Sequence, residues 1–215
     1  DWPRRPVKII VIASPGGFPD IAARTVANQL SGPLGQPVVV ENRAGGNTVI
    51  AAENVARSAP DGYSLLLALD STMMMNPFTY AKLPYDPLKD FAPVSLLGFN
   101  YVVIVGNPAK LPPGDLREVM AYARANAGKL NFGSAGLTTQ LIGEQLNAAG
   151  VKLVNVPYKG TAAVLPALLS GEIDLAIDGV SVYLPHIREG RVRALAMTAP
   201  RRLAQLPDLP TLREM

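Results

Sequence analysis

Val7-Lys8-Ile9-Ile10-Val11-Ile12-Ala13-Ser14-Pro15-Gly16-Gly17-Phe18-Pro19-Asp20 sets two signals side by side. Val7 to Ala13 is a near-continuous apolar run, the pattern of a strand buried on both faces of a parallel sheet. Ser14 to Asp20 then breaks it with proline and glycine, the residues of turns. Downstream, Ile21 to Leu30 carries apolar residues at helical spacing, and Asp20 is expected to cap that helix. The rhythm then repeats. Pro37 to Glu41 reads as a second strand and Val49 to Ala56 as a second helix, closed by Ala59-Pro60-Asp61-Gly62. Ser64 to Leu69 reads as a third strand. A βαβαβ order implies a parallel sheet with helices on both faces.

Residues 71–93 are irregular, with one short helix expected around Met73 to Pro77 and with Pro84, Pro87 and Pro93 breaking anything longer. Val94 to Gly98 and Tyr101 to Gly106 are strand-like. Helices are then expected over Leu116–Ala125, Thr138–Ala149, Ala162–Leu169 and Ser181–Arg188. They alternate with strands at Leu130–Gly133, Leu153–Val156, Leu175–Ile177 and Arg193–Met197. No fixed-period repeat is present. The expected division is a first α/β lobe over residues 1–98 and a second over residues 99–215 that also holds the hinge strands.

Composition narrows the chemistry. Apolar residues make up 48% of the 215-residue chain, enough for a substantial core. The net charge of +3 forms no basic stripe, so nucleic acid is not expected as a partner. The chain has no cysteine, which excludes disulfides, thiolate metal sites and cysteine nucleophiles. That fits an oxidising compartment without requiring one. With one histidine and no cysteine, neither a metal site nor a cofactor is expected. No apolar run reaches the roughly 18 residues of a membrane span.

Open α/β sheets bind ligands outside the carboxyl ends of their strands. This singles out the loops Ser14–Asp20, Asp70–Thr72, Gly133–Thr139, Pro157–Thr161 and Asp178–Ser181. Two of them, Ser14-Pro15-Gly16-Gly17 and Ser134-Ala135-Gly136, are small-residue turns opening a helix. Small residues let backbone N–H groups approach a ligand, and helix N-termini attract anions. Facing each other, the two would clamp a carboxylate; the other reading is that the glycines only permit tight turns. Asp20 also has two readings, as a helix cap or as the partner of a ligand amine. Asp178 ends an apolar strand, either at a cleft edge or as turn chemistry. Met73 to Met75 either line a pocket or fill the core. Neither G-x-G-x-x-G nor a P-loop occurs. Ser14, His186 and Asp178 suggest a hydrolase triad, but Ser14-Pro15-Gly16-Gly17 lacks the G-x-S-x-G elbow.

Several segments, in order, resemble the extracytoplasmic substrate-binding proteins of tripartite tricarboxylate transporters, the Bug proteins. They are Ser14-Pro15-Gly16-Gly17 with Asp20, Leu34 to Arg43, Ala59 to Tyr63, and Lys82 to Pro87 with Lys89 to Val94. Gly128 to Gly136, Val156 to Thr161, and Leu184 to Ile187 with Gly190 complete the set. Each piece alone is weak; the collinear set is specific. The resemblance implies a Venus-flytrap fold of two α/β lobes with a ligand in the interlobe cleft. It implies no enzymatic activity, a periplasmic location after removal of a signal peptide, a monomer, a small carboxylate ligand and integral membrane transporter subunits as partners. The carboxylate is expected to be a dicarboxylate, an acidic amino acid or an aromatic acid.

Carried over residue by residue, the resemblance points to Gly16, Gly17, Asp20, Ser134, Ala135 and Gly136 as the carboxylate grip. It sets Tyr158 and Asp178 near the distal end of the ligand. Ser14, Phe18, Asp70, Ser71 and Thr138 complete the expected ligand-binding set. Departures from the family's pattern are Ala13 where Phe is frequent, Phe18 in place of a small or polar residue, and a shortened Gly136–Thr138 segment. Together they imply a reshaped pocket for an aromatic or longer carboxylate. Family members also continue beyond the motif that ends here at Met215, with a segment that returns to complete the first lobe, so the sequence is expected to be part of a longer chain. A ligand-sensing effector domain of a transcription factor shares the two-lobed architecture, but no helix-turn-helix precedes Val7. An α/β hydrolase using Ser14 is the other alternative.

Overall fold

The computed structural model describes residues 1–215, which divide into two compact units, Asp1–Gly98 and Phe99–Met215. In the first, strands β1 (Val7–Val11), β2 (Val38–Asn42) and β3 (Ser64–Leu67) form a parallel sheet in the order β2-β1-β3. Successive side chains of a strand point to opposite faces. Ile9 and Val11 therefore pack against Ala23 and Ala27 of helix α1 (Phe18–Leu34), while Ile10, with Ile12 beyond the strand, meets Ala51 of α2 (Val49–Ala56). The alanines keep both helices close to the central strand, whose residues other than the exposed Lys8 are apolar and buried.

Helix α1 starts earlier and ends later than its apolar spacing indicates. Gly17, in extended conformation, is the N-cap, and Pro19 sits in the first turn. Proline suits that position because its fixed φ is helical and its missing N–H has no partner there anyway. Asp20 is therefore not the cap but the third helical residue. The helix closes at Gly35, whose φ of 63° is left-handed. After β3, a wide π-type turn (Ser71–Met75) leads into the short helix α3 (Asn76–Thr79). Val94–Gly98 does not form the expected strand. Val94 and Leu96 are 82% and 72% exposed there, and apolar, β-branched composition makes a strand only where a ladder partner exists.

The second unit is a five-stranded sheet in the order β6-β5-β7-β4-β8. Its strands are β4 (Val102–Gly106), β5 (Asn131–Ser134), β6 (Val154–Pro157), β7 (Leu175–Gly179) and β8 (Arg193–Met197). Strands β5, β6 and β7 are parallel, but β4 runs antiparallel to both β7 and β8. Its alternate residues divide between two cores. Val102 and Ile104 pack with α4 (Leu116–Ala125) and the layer around Phe132. Val103 and Val105 pack with α6 (Thr161–Ser170) and with Tyr183 of α7 (Val180–Arg188). Helix α5 (Leu137–Ala148) lies on the Phe132 side, where a β-carbon at Gly143 would collide with that ring. No helix is long and apolar enough to cross a membrane, and no group of three or more His, Cys, Asp or Glu side chains could hold a metal ion.

Candidate functional site

At the carboxyl edge of the first sheet, the loop leaving β1 lies beside the ends of β2 and β3, because Val11 pairs with both Asn42 and Leu67. Gly16 has φ 85°, a left-handed conformation that glycine takes without strain. Its N–H donates to Asp20 Oδ2 at 3.0 Å. Arg24 Nε donates to both Asp20 oxygens at 3.1 Å, and Asn42 Nδ2 to Oδ1 at 3.0 Å. Arg24 Nη2 in turn donates to Asn42 Oδ1 at 3.3 Å. Asp20 is only 3% exposed. Burial alone would raise its carboxyl pKa, but the Arg24 guanidinium, the Gly16 N–H and the Asn42 amide outweigh it and hold the group below the usual carboxylate value. A ligand amine at Asp20 would have to compete with Arg24. Phe18 opens α1 half-buried, exposed Asp70 precedes the wide turn and buried Ser71 begins it.

The second unit repeats this construction with other residues. Ser134 is the last residue of β5, and its hydroxyl donates to Asn155 Oδ1 of β6 at 2.8 Å. The N–H groups of Ala135 and Gly136 both donate to Thr139 Oγ1, at 3.1 and 3.2 Å, and that hydroxyl donates to the Gly136 carbonyl at 2.9 Å. Thr139 thus makes three hydrogen bonds, the full capacity of a hydroxyl. Gly136 caps α5 and Thr138 lies in its first turn. Thr139 is the third residue of α5, as Asp20 is of α1. In both units the third helical side chain reaches back to fix the glycine loop, as in a capping box. Both loops open helices of more than ten residues, whose N-termini carry partial positive charge.

Asp178 lies near the carboxyl end of β7, whose Ile177 pairs with Ser134 of β5, so these two expected site residues share one sheet edge. Its carboxylate accepts from Thr161 Oγ1 at 2.9 Å, the Gly179 N–H at 2.7 Å and the Tyr183 hydroxyl at 3.4 Å. No cation is among these partners. Burial therefore pushes its pKa up to about 6, with the three hydrogen bonds pulling the other way. Tyr158 does not join it. Its hydroxyl donates to Glu172 Oε1 at 2.8 Å, ahead of the amino end of β7. His186 is not among the partners of Asp178 either, so the imagined triad has no His–Asp pair. Sequence reasoning missed Arg24 and Tyr183, and it reached Thr139 only as the end of the candidate loop Gly133–Thr139 without assigning it a role. The signal for Thr139 was its spacing, three residues after a glycine that opens a helix.

A family model described as the tripartite tricarboxylate transporter family receptor matches residues 22–215. The chain is 38% identical over 218 residues to protein BugT of Bordetella pertussis, covering 100% of this chain and 67% of that one. It is 36% identical over 214 residues to a UPF0065 protein of Bordetella bronchiseptica, covering 99% of this chain and 64% of that one. The chain spans 64–65% of the length of three such curated relatives. Two solved structures from Rhodopseudomonas palustris are similar throughout. One, described with adipate, has TM-score 0.94 and 34% identity and covers 100% of this chain and 72% of its own. The other, MatC with bound malate, has TM-score 0.89 and 34% identity and covers 99% and 73%.

Proposed function

The chain belongs to the tripartite tricarboxylate transporter receptor family, and on that premise we propose that it captures a small carboxylate outside the cytoplasm and presents it to membrane transporter subunits, without catalysing a reaction. The carrying observation is the repeated construction of the two glycine loops. Each stands at the carboxyl edge of its sheet, opens a long helix, and is fixed by the third side chain of that helix. Preformed loops lower the ordering cost of binding, and helix N-termini favour an anionic group. In this reading Ser14, Gly16, Gly17 and Phe18 serve the ligand from the first unit, with Asp70 and Ser71 beside them. Ser134, Ala135, Gly136 and Thr138 serve it from the second, and Asp178 meets its distal part; Tyr158, whose hydroxyl is engaged with Glu172, contributes only its backbone beside Ser134. The malate- and adipate-bound relatives support a carboxylate as the chemical class.

The test is a thermal-shift and calorimetric screen of malate, adipate, citrate, glutamate, nicotinate and phthalate. A ligand at 1,000 times its Kd adds about 4 kcal/mol to stability, a shift of several degrees for a chain of this size. A saturable shift with one class is expected. Preference for adipate or an aromatic acid over malate would support the role of Phe18 and Ala13 in reshaping the pocket; a response to malate alone would reject it. A folded chain that responds to none of the six would refute the carboxylate reading.

A further inference from the structure

The turn after β2 is the most strained backbone in the first unit, and its carbonyls are held from one neighbouring segment. Gly45, Gly46, Asn47 and Thr48 have consecutive φ values of 129°, 54°, 46° and 76°. Glycine takes such values freely, but Thr48 is β-branched, and a left-handed conformation there is a real outlier. The buried amide of Asn76 supplies the restraint. Its Nδ2 lies 2.9 Å from the Asn47 carbonyl, 3.2 Å from Thr48 Oγ1 and 3.2 Å from the Tyr85 hydroxyl. Tyr85 in turn donates to the Thr72 carbonyl at 2.6 Å. The Tyr80 hydroxyl donates to the Gly46 carbonyl at 3.0 Å, and the Thr48 N–H closes the turn on Gly45 at 3.0 Å.

This arrangement has a cost that core packing does not explain. Asn76 is fully buried, yet its Oδ1 has no hydrogen-bond partner. A leucine of similar volume would avoid burying that acceptor. The position therefore favours asparagine for what its Nδ2 does, and what it does is hold the turn. The turn also stands where a ligand-facing element belongs. It follows the carboxyl end of β2, where the Arg43 N–H donates to the Val11 carbonyl at 2.8 Å and Asn42 Nδ2 donates at 2.9 Å to the carbonyl of Ala13, the residue before the first glycine loop. Strain sustained by surrounding structure concentrates at functional sites.

We propose that Asn76 is a positioning residue for carboxylate capture, acting by holding the Gly45–Thr48 turn in its left-handed form beside the first glycine loop. The inference rests on the carboxylate reading above. The test uses the full chain, its affinity for malate and adipate, and hydrogen exchange at the Thr48 amide. Asn76→Leu is expected to speed that exchange and to weaken binding by about tenfold. Thr48→Gly alone is expected to leave binding within about threefold, because glycine adopts the conformation without help. The double variant is expected to recover most of the affinity lost in Asn76→Leu. A residue that only filled the core would show no such rescue.

Should Asn76→Leu not fold, Tyr85→Phe removes the hydroxyl that braces Asn76 and keeps the ring on Phe91. It is expected to weaken binding in the same rescuable way. Affinity unchanged in the variant that folds, or a double variant as weak as its single parent, overturns the proposal alone. A parent chain that binds neither malate nor adipate overturns the carboxylate reading, and this inference with it.

Discussion

Asn42 Nδ2 stands 3.0 Å from Asp20 Oδ1 and 2.9 Å from the Ala13 carbonyl. The last residue of β2 thereby ties the loop leaving β1 to the first turn of α1. Three elements that meet only in the folded chain share one amide, and the buried carboxylate between them is neutralised by Arg24.

The Asp20 carboxyl, held below its usual pKa, contributes stability that is present above the unfolded value of about 3.9 and lost as pH falls through the folded value. Asp20→Asn is expected to cost about 1–3 kcal/mol at pH 7, because it weakens the hydrogen bonds from Gly16, Arg24 and Asn42. It should also flatten the decline in stability below pH 4. Urea unfolding of parent and variant at pH 3 and pH 7 measures both, and a parent-to-variant difference that does not shrink from pH 7 to pH 3 contradicts this account.

Asp178 behaves with the opposite sign. Its folded pKa of about 6 lies above the unfolded value, so the native state keeps a proton between about pH 4 and pH 6 that the unfolded chain has released. Stability from this group is full below that window and falls as pH rises through it, by up to about 3 kcal/mol. Asp178→Asn stays neutral and should remove this component. The difference between variant and parent in unfolding free energy at pH 4.5 and at pH 7.5 decides it; a difference independent of pH would contradict the buried, uncompensated carboxyl.

Thr139 offers a change at one atom. Thr139→Val keeps the shape and deletes the hydroxyl that receives the Ala135 and Gly136 N–H groups. The loop loses its fixed form, and carboxylate affinity is expected to fall about tenfold. Thr139→Ser keeps the hydroxyl and should retain affinity within about threefold. Calorimetric titration of both variants reads the contrast, and equal affinities would remove Thr139 from any role in the loop.

Gly143 separates packing from binding. A β-carbon there would overlap the Phe132 ring in the core beneath α5. Gly143→Ala should lower stability by about 1–3 kcal/mol through overpacking. Carboxylate affinity measured well below the melting midpoint should stay unchanged. Weakened affinity at full folding would mean that α5 shifts as a body and carries its N-terminal loop with it.

The amino-acid sequence determined the order and type of most elements, because β1, β7 and the amphipathic faces of α1 and α4 carry their burial in their own periodicity. It determined the two glycine loops as well, since Gly16-Gly17 and Ser134-Ala135-Gly136 announce turns wherever they occur. It misread Val94–Gly98 as a strand, because a strand is defined by its neighbour and composition does not supply one. The antiparallel course of β4 was hidden for a related reason: Val102 to Gly106 is buried throughout, so neither face nor direction leaves a pattern. Tertiary structure alone brought Asn42 to Asp20, Asn76 to the Asn47–Thr48 turn and Thr161 to Asp178. Each pair is a hydrogen bond between residues 17 to 29 positions apart. Local propensity cannot encode such bonds, because their partners meet only after the sheets have formed.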